Sequence, residues 1–344
     1  MKLFETMAEM GHEQLVMCSD PAIGYRGILA VHSTKLGPAL GGTRFWQYAT
    51  DEEAITDALR LSRGMTYKNA VAGLNLGGGK SIIIGDNKTR DREKIFRAHG
   101  RFVESLGGRY ITAEDVGTST RDMDYVHMET GHVAGLAGKS GDPSPVTAHG
   151  VFRAVQASAN RMWGSDSLEG KCVAIQGCGS VGTYLARELH EAGAKLIVSD
   201  IDAAKAARVA KSTGAEIVEG DAIFFAEADI FSPCALGGII NDKTIPMLKA
   251  YIVAGGANNQ LLEPRHGDEL QRLGILYTPD YVANAGGVIN VFGEVAGWNA
   301  QRALDKADDI YGTVLKVFEI ADADHISTYE AADRLAEQRL AGAK

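Results

Sequence analysis

The sequence predicts an α/β protein of two domains, the second of which is built on a doubly wound parallel sheet. Three observations support this fold class. The chain has 344 residues, which is enough for two domains. Its second half repeats short apolar segments separated by helical stretches, which is the rhythm of parallel strands with crossover helices. A stretch rich in Gly, Ser and Pro at 135–145 divides it from a first half that alternates strands and helices.

The predicted domains are residues 1–143 and 144–326. The connection at 135–145 leads into an interdomain helix over 147–163, which makes it a candidate hinge. A C-terminal helix within 327–344 is expected to return to the first domain.

The first domain is expected to contain a capped helix between two glycine-rich segments. The stretch 37–42 indicates a turn. Thr50 and Glu53 have the spacing of a capping box, so a helix begins there and runs towards Met65, which leaves Lys68 just past its end. The other predicted elements are strands over 27–31, 81–84 and 109–112 and a helix over 92–106.

The second domain shows a more regular alternation. Apolar segments predict strands at 171–176 and 195–199, with a helix over 180–192 between them. Further strands are expected at 216–218, 229–231, 251–254 and 275–277. Six strands in this rhythm predict a single parallel sheet.

Composition and charge argue against several classes of function. A formal net charge of -9 and a pI of about 5.5 oppose nucleic acid or an anionic membrane as the main partner. The N-terminus lacks the apolar core of a signal peptide and no run approaches the roughly 18 apolar residues of a membrane span, so we expect a cytoplasmic protein. The cysteines are scattered and the histidines form no metal-binding motif, so we expect reduced thiols and no metal ion.

A G-x-G-x-x-G motif lies between the first strand and the first helix of the second domain. Alone it is weak evidence in a chain with 41 glycines, but here it follows an apolar strand and opens a helix. The first glycine permits the tight turn, the second lets the backbone approach a pyrophosphate, and the third lets the helix pack closely on the strand. The motif predicts a dinucleotide-binding Rossmann domain, with a cofactor loop formed by Gly177, Cys178, Gly179, Ser180, Val181 and Gly182.

Asp200 follows the next strand at about the twenty-residue spacing expected of an acidic residue that binds the cofactor ribose. Its carboxylate can accept hydrogen bonds from ribose hydroxyls, and its charge would repel a 2′-phosphate. The predicted cofactor is therefore NAD rather than NADP, with the neighbouring Ile201 included in the site. The alternative is a glycine-rich turn beside a solvated aspartate. A dinucleotide implies hydride transfer but does not identify a substrate.

A second glycine-rich stretch, GLNLGGGKSIIIG over 73–85, looks at first like a phosphate-binding Walker A loop. The spacing is wrong, because Leu74 stands six places before Lys80 and the glycine lies one place too early at Gly73. The apolar run after the lysine also predicts a buried strand where the motif requires a helix. A nucleoside triphosphate site is therefore disfavoured, and Lys80 needs another explanation.

Nine stretches distributed along nearly the whole chain resemble the superfamily of glutamate, leucine, phenylalanine and valine dehydrogenases, most closely the branch of leucine and phenylalanine enzymes. None is specific alone, but together they are highly specific. They are LGPALGGTR (36–44), DALRLSRGMTYKNA (57–70), GLNLGGGK (73–80), RYITAEDVGT (109–118), PSPVTAHGV (143–151), the Rossmann loop, PCALGG (233–238), ANNQ (257–260) and PDYVANAGGVINV (279–291).

The resemblance implies oxidative deamination of an L-amino acid in a cleft between a substrate-binding first domain and the Rossmann domain. By the family pattern Lys68 holds the α-carboxylate, Lys80 is the catalytic base, and Asp115 transfers protons at the substrate nitrogen. The positive charge of Lys68 is expected to favour the neutral form of Lys80, and glycines 77–79 are expected to leave room for substrate and nicotinamide. Taken singly, each lysine could be a surface charge and the aspartate a turn residue.

The resemblance also implies further contacts. Substrate contacts are expected at Gly41, Gly42, Met65, Leu40, Ala113, Asn258, Val288 and Val291. Further cofactor contacts are expected at Arg44, Thr147, Ala235, Leu236, Asn258, Asn259 and Asn284, with ordinary loop hydrogen bonding as the alternative for the polar ones.

The expected side-chain pocket suits an apolar amino acid. Leu40, Ala113, Val288 and Val291 are all apolar, so a glutamate side chain would be buried there without a partner for its charge. Ala113 and Val291 favour a branched aliphatic side chain over a phenyl ring, so leucine, valine and isoleucine are the predicted substrates. Because a methylene contributes only about 1 to 3 kcal/mol of discrimination, an aromatic amino acid dehydrogenase stays open as an alternative. The G-G-G-K form at 77–80 resembles phenylalanine and valine enzymes as much as leucine enzymes.

Two further expectations concern assembly and activity. Family members form homo-oligomers, and the chain ends at Lys344 without the longer C-terminal tail that many leucine dehydrogenases carry, which favours a dimer. An alternative of another class is a non-catalytic NAD-binding regulator, which would tolerate loss of the first-domain lysines.

Overall fold

The computed structural model describes residues 2–139 and 141–343. The chain divides into two compact units. Unit 1 comprises the described residues within Met1–Gly141, Val291–Asn299 and Ala336–Lys344, and unit 2 comprises Asp142–Asn290 and Ala300–Leu335.

Unit 1 is built on a mixed five-stranded sheet in the order β1-β2-β4-β3-β5. Strands β1 and β4 pair antiparallel with β2, whereas β4 and β5 pair parallel with β3. The elements are α1 (Leu3–Met10), β1 (Gln14–Asp20), β2 (Tyr25–Ser33), β3 (Ala39–Trp46), α2 (Asp51–Val71), β4 (Gly77–Ile84), α3 (Arg92–Glu104), β5 (Tyr110–Glu114) and α4 (Thr120–His127).

Both glycine-rich segments of the first half run into strands, so the predicted turn at 37–42 gives way to β3 from Ala39 and the strand predicted from 81 begins at Gly77. Strand β3 contains Gly41 and Gly42, and the central strand β4 begins at Gly77. A Cβ atom on Gly41 would lie 1.7 Å from the carbonyl oxygen of Gly79. Glycine is used here because neighbouring backbones approach too closely for a side chain, and not because the chain turns.

The glycines before Lys80 are required by neighbouring parts of the protein, and the expectation that they leave room for substrate and nicotinamide stays a prediction. A Cβ atom on Gly78 would lie 2.0 Å from the backbone nitrogen of Thr66 in α2. A Cβ atom on Gly79 would lie 2.6 Å from the ring of Tyr110 in β5. These contacts fix β4 closely against the elements on both of its faces.

Helix α2 begins at the predicted cap but continues past its predicted end. The side chain of Thr50 accepts a hydrogen bond from the backbone of Glu53. The helix extends to Val71, so Lys68 lies in its last turn and not beyond it. No helix-breaking residue occurs between Met65 and Val71, so the helix has no local reason to stop earlier.

Unit 2 contains the predicted parallel sheet of six strands, in the order β11-β10-β9-β6-β7-β8. All five strand pairs are parallel. The predicted doubly wound sheet is thus confirmed. The elements as far as the last strand are α5 (Ser144–Trp163), β6 (Cys172–Gln176), α6 (Ser180–Glu191), β7 (Lys195–Ser199), α7 (Ala203–Thr213), β8 (Glu216–Ile217), β9 (Ile230–Pro233), β10 (Ile252–Val253), α8 (Arg265–Arg272) and β11 (Leu276–Tyr277).

Five helices follow the last strand. They are α9 (Asp280–Ala283), α10 (Gly286–Val295), α11 (Ala300–Ala307), α12 (Asp309–Asp324) and α13 (Thr328–Gly342). Within unit 2, Gly150 of α5 allows a close approach of these helices, since a Cβ atom there would lie 2.6 Å from Ile310. The described residues from Ala336 onward belong to unit 1, and the return of the C-terminal helix to the predicted first domain stays a prediction.

A histidine links three helices within unit 2. Nδ1 of His149 in α5 lies 2.8 Å from Glu188 in α6, and its Nε2 lies 3.1 Å from Asp308, which precedes α12. The hydrogen bond to Glu188 raises the pKa of His149 above its ordinary value although burial opposes the rise. Because the folded-state pKa is raised, the link stabilises the fold fully below the unfolded pKa and loses its effect as the pH rises through the folded pKa.

We expect His149→Gln to destabilise the protein by about 1 to 2 kcal/mol near pH 6, because two charge-assisted hydrogen bonds are weakened. The loss should shrink steadily towards alkaline pH, where the wild-type imidazole is neutral. Urea denaturation at several pH values measures the difference, and His190→Gln, at an exposed histidine of α6, is the control. A loss that is independent of pH would contradict the ionic role of His149.

Candidate active site

Lys80 lies on β4 and faces the side of the unit 1 sheet that α2 covers. It pairs in register with Ala30 of β2, which belongs to the same apolar cluster as Ala54 and Ala58 of α2. Its side chain is only 6% exposed. A lysine buried this deeply requires a compensating anion.

Asp115 provides that anion. Its Oδ2 lies 2.8 Å from Nζ of Lys80. The backbone N–H of Asp115 donates to Oγ1 of Thr118, whose hydroxyl donates back to the carbonyl of Asp115. Gly117, with φ +82, completes the turn where a Cβ atom would collide with the carbonyl of Phe45. The turn after β5 therefore holds the carboxylate in a fixed direction.

Arg44 of β3 joins this pair to a second carboxylate. Its Nε donates to Oδ2 of Asp115 at 2.9 Å, and its Nη1 donates to Oδ2 of Asp57 at 2.8 Å. The hydroxyl of Tyr48 donates to the same oxygen of Asp57 at 2.7 Å. Asp57 and Tyr48 were not predicted as site residues, since no motif connects them to Asp115. Arg44 was predicted as a cofactor contact, and that role stays a prediction.

Burial favours the neutral form of Lys80, and the charges around it act in both directions. Burial lowers the pKa of Lys80, Asp115 opposes this change without cancelling it, and Arg44 lowers the pKa further. Burial alone would raise the pKa of Asp115, but Lys80 and Arg44 outweigh burial and keep that pKa below its ordinary value. A lysine whose pKa is lowered by burial thus lies beside a carboxylate whose pKa is also below its ordinary value. Arg44 is one like charge that acts on Lys80, and the expected influence of Lys68 stays a prediction.

The predicted substrate residues lie on β3, β5, α2 and α10. Leu40 of β3 and Ala113 of β5 are 2% and 6% exposed, and the register places them on the same face of the sheet. Gly42 pairs in register with Ala113. Lys68 and Met65 lie one turn apart on α2, and both are partly buried. Val288 and Val291 lie on α10, three residues apart and therefore on one side of that helix.

The glycine loop of unit 2 has the conformation that its sequence predicts. Gly177 adopts φ +103, where a side chain would be strained. A Cβ atom on Gly182 would lie 2.0 Å from the carbonyl oxygen of Gly177, so the third glycine is required for helix packing. No atom lies within 4 Å of a Cβ built on Gly179, which leaves its backbone open to a ligand. Helix α6 begins at the next residue, Ser180.

Asp200 lies at the end of β7 and is held by backbone N–H groups. Its Oδ2 accepts from Cys178 at 2.7 Å, and its Oδ1 accepts from Asp202 at 2.8 Å. The carboxylate is therefore directed at the glycine loop. Ile201 is fully exposed beside it, and Leu236 in the loop after β9 is 76% exposed. Exposed apolar side chains at these two positions offer surfaces for a planar ring such as adenine.

Two asparagines form a pair at the same carboxyl edge of the parallel sheet as the glycine loop. Nδ2 of Asn284 donates to Oδ1 of Asn258 at 2.7 Å. Asn284 is 3% exposed, and its Oδ1 has no hydrogen-bond partner among the described residues. Asn259 adopts φ +51, a left-handed conformation that asparagine tolerates well. A buried acceptor without a partner fits a ligand that carries an N–H group, such as the carboxamide of nicotinamide.

The remaining predicted cofactor residues border these features. Thr147 lies in the first turn of α5, where its hydroxyl donates to the carbonyl of Pro143 at 2.9 Å. Val181 lies in the first turn of α6, and Ala235 precedes the exposed Leu236. A Cβ atom on Gly177 would lie 2.9 Å from Ala235, so the loop after β9 packs directly on the glycine turn.

A pocket of about 550 Å³ adjoins the glycine loop and is lined by three cationic side chains that were not predicted as site residues from the sequence. They are Arg187 of α6 and Lys205 and Arg208 of α7. Together with the N-terminus of α6 they make this end of unit 2 suitable for a phosphorylated ligand. The open glycine backbone, the directed carboxylate and the unpaired amide oxygen all fit a dinucleotide.

Metal-binding clusters and membrane-spanning helices are both absent from residues 2–139 and 141–343. No group of three or more His, Cys, Asp or Glu side chains in that range is arranged to hold a metal ion. Within the same residues, no helix has the length and apolar character needed to cross a membrane.

Two sequence models match most of the chain. The Glu/Leu/Phe/Val dehydrogenase dimerisation domain matches residues 12–132, and the Glutamate/Leucine/Phenylalanine/Valine dehydrogenase domain matches residues 138–204 and 197–343. The chain belongs to the Glu/Leu/Phe/Val dehydrogenase family. It is thus an amino acid dehydrogenase, an oxidoreductase that works with a nicotinamide cofactor.

Known members of the Glu/Leu/Phe/Val dehydrogenase family resemble the chain over its full length. It is 57% identical to leucine dehydrogenase from Geobacillus stearothermophilus, covering 99% of this chain and 94% of the relative. It is 50% identical to L-tryptophan dehydrogenase from Nostoc punctiforme, covering 100% of this chain and 98% of the relative. A crystal structure of the Nostoc punctiforme tryptophan enzyme matches with a TM-score of 0.91 over 99% of both chains at 47% identity.

Proposed function

We propose that the chain catalyses reversible, NAD-dependent oxidative deamination of L-amino acids with branched aliphatic side chains, giving a 2-oxo acid and ammonia. Leucine, valine and isoleucine are the proposed preferred substrates. The observation that carries this proposal is the buried pair of Lys80 and Asp115, 2.8 Å apart, in a chain 57% identical to a leucine dehydrogenase. The lowered pKa of Lys80 suits the role of a general base.

The residues of unit 1 supply the proton chemistry. When bound, NAD supplies the acceptor for the hydride that leaves the α-carbon of the amino acid. Lys80 takes a proton from the water that attacks the resulting iminium carbon, and Asp115 transfers a proton at the nitrogen so that ammonia can leave. Lys68 holds the α-carboxylate by its charge. Overall, amino acid, NAD⁺ and water give 2-oxo acid, ammonium, NADH and a proton.

The side-chain preference rests on apolar residues. Leu40 and Ala113 are buried on the sheet face that carries Lys80, and Val288 and Val291 share one side of α10. None of the four can pair with a γ-carboxylate, so glutamate is disfavoured. The sequence identity of 54% to leucine dehydrogenase from Bacillus cereus and 48% to phenylalanine dehydrogenase from Bacillus thermotolerans also favours leucine over an aromatic substrate.

NAD is favoured over NADP by Asp200. Its carboxylate, held by two backbone N–H groups, is suited to accept from ribose hydroxyls and would repel a 2′-phosphate. The three cations in the nearby pocket act against this preference, but they lie on helices α6 and α7 and are not sequence neighbours of Asp200. We therefore propose discrimination in favour of NAD that is strong but incomplete.

We further propose that the protein is a homo-oligomer and that a dimer is the smallest active form. Support comes from the match of residues 12–132 to a domain described as a dimerisation domain. Light scattering that gives the mass of a single chain would refute the assembly without affecting the proposed chemistry.

The test is a panel of initial rates with leucine, valine, isoleucine, phenylalanine, tryptophan and glutamate, each with NAD and with NADP. We expect the highest kcat/KM with a branched aliphatic substrate and NAD, weaker rates with the aromatic amino acids, and almost none with glutamate. A preference for phenylalanine or tryptophan would replace the substrate assignment. Binding of NADH without turnover of any amino acid would support the non-catalytic regulator instead.

A further inference from the structure

The carboxylate of Asp115 contacts two cations through a single oxygen atom. Nζ of Lys80 lies 2.8 Å from Oδ2, and Nε of Arg44 donates to the same Oδ2 at 2.9 Å. Each cation therefore reduces the attraction that the other receives from that oxygen. How strongly Asp115 holds Lys80 depends on how fully Arg44 pairs with Asp115.

Arg44 is itself divided between two carboxylates. Its Nη1 donates to Asp57 on α2 at 2.8 Å while its Nε donates to Asp115. The three side chains are only 16% to 24% exposed, so solvent screens these contacts incompletely. Without Asp57, the guanidinium would have Asp115 as its only carboxylate partner among these residues.

Asp57 is held firmly in this position. It accepts from the hydroxyl of Tyr48 at 2.7 Å and from Arg60, one turn further along α2, at 2.9 Å. Burial alone would raise the pKa of Asp57, but these donors and Arg44 keep it below its ordinary value. Asp57 is therefore an ionised anchor and not a proton donor.

We propose that Asp57 is a positioning residue of the reaction and that it acts through Arg44. Asp57 holds one side of the guanidinium and so limits the pairing of Arg44 with Asp115. Asp115 is thereby left able to hold Lys80. The inference rests on the proposed function, in which Lys80 is the base. It adds a connected set of residues, Tyr48, Asp57 and Arg44, that sets how readily this base releases its proton.

The charged and titratable groups around Lys80 come from each element packed against β4. They are Arg44 on β3, Asp115 after β5, Asp57 and Lys68 on α2, and His32 on β2. Burial lowers the pKa of His32 to about 4, so this histidine is neutral in the pH range of the experiment. Asp57 acts on Lys80 in the direction of Asp115 and Arg44 acts in the opposite direction. Removing Asp57 and removing Arg44 must therefore have opposite effects on the pH dependence.

The experiment measures kcat/KM for L-leucine against pH at saturating NAD in the full chain. We expect Asp57→Asn to move the rising limb of the profile by about half a pH unit towards lower pH, because Arg44 then pairs fully with Asp115. We expect Arg44→Met to move it by about one unit towards higher pH. Asp51→Asn, which removes an exposed carboxylate of α2 paired with Arg26, should leave the profile unchanged.

A double variant separates action through Arg44 from a direct effect of the Asp57 charge. In the Arg44→Met background, Asp57→Asn should cause a clearly smaller shift, because only the direct charge effect of Asp57 on Lys80 remains. A shift of equal size in both backgrounds would overturn the proposal, as would an Asp57→Asn profile that superimposes on that of the wild type. A role of Arg44 in cofactor binding alone would change KM for NAD and leave the limb in place, which would also overturn it.

A second variant guards against misfolding of Asp57→Asn. Tyr48→Phe keeps every charge but removes one donor from Asp57, so Asp57 should pair more strongly with Arg44 and the limb should move slightly towards higher pH. A shift towards lower pH, or none, would contradict the proposal. The wild-type rate distinguishes failure of the proposed function from failure of the role of Asp57. No turnover of leucine by the wild type refutes the proposed function. Normal wild-type turnover with unshifted pH profiles of the variants refutes only the role of Asp57.

Discussion

Lys80→Ala is expected to reduce kcat for L-leucine by at least about a hundredfold while leaving the affinity for NADH unchanged, since general bases typically contribute that much. The lysine is the buried cation of unit 1 whose pKa its surroundings lower, whereas the glycine loop that carries the predicted cofactor contacts belongs to unit 2. Steady-state kinetics and NADH fluorescence titration measure the two quantities separately.

The matched control is Lys88→Ala, which removes an exposed lysine shortly after β4 and should have normal activity. The pH profile of the wild type provides a second check. Because the folded-state pKa of Lys80 is lowered, the rate of deamination should rise with pH and level off below the ordinary lysine pKa of about 10.4. Near-normal activity of Lys80→Ala would refute the assignment of the base.

Gly41→Ala is expected to destabilise unit 1 by more than about 3 kcal/mol or to prevent folding, because the backbone has no room for a methyl group. The new Cβ would lie 1.7 Å from the carbonyl oxygen of Gly79, and both atoms belong to central strands of the sheet. Relief would require β3 and β4 to separate, which would also displace Lys80. Urea denaturation followed by circular dichroism measures the loss.

Gly64→Ala is the control for this prediction. Gly64 lies inside α2, and no atom lies within 4 Å of a Cβ built on it. Alanine should stabilise the helix there by about 0.5 to 1 kcal/mol. A stability of Gly41→Ala equal to that of the wild type would show that β3 and β4 are less closely packed than described.

The second unit could be predicted from sequence because its strands are apolar runs separated by amphipathic helices. Strand β7 was predicted with its correct bounds, and the glycine loop with the correct conformation at Gly177 and Gly182. In a parallel sheet, pattern and position in the fold agree closely.

The first unit was predicted less well because its central strands contain glycines. Sequence rules interpret the glycines of 37–42 as a turn, whereas here they allow β3 to pack against β4 and β5. Strand β1 was missed because, apart from Cys18, its residues are only partly buried or exposed, which leaves a weak apolar pattern.

Catalytic roles for Lys80 and Asp115 could be proposed only from the family resemblance, and the electrostatic partners of this pair could not be proposed at all. Asp57 stands 58 positions before Asp115, and the two are connected only because Arg44 on β3 lies within reach of both. The order of the strands in the sheet brings these residues together. No local pattern in the sequence predicts the strand order of a mixed sheet.

The most direct test of the central claim is to quantify NADH, ammonia and the 2-oxo acid in one reaction of the wild-type protein with L-leucine and NAD. We predict that the three products form in equal amounts and that none forms with Lys80→Ala above about one hundredth of the wild-type rate. Formation of NADH without an equal amount of ammonia, or no NADH from any branched-chain amino acid, would contradict the account.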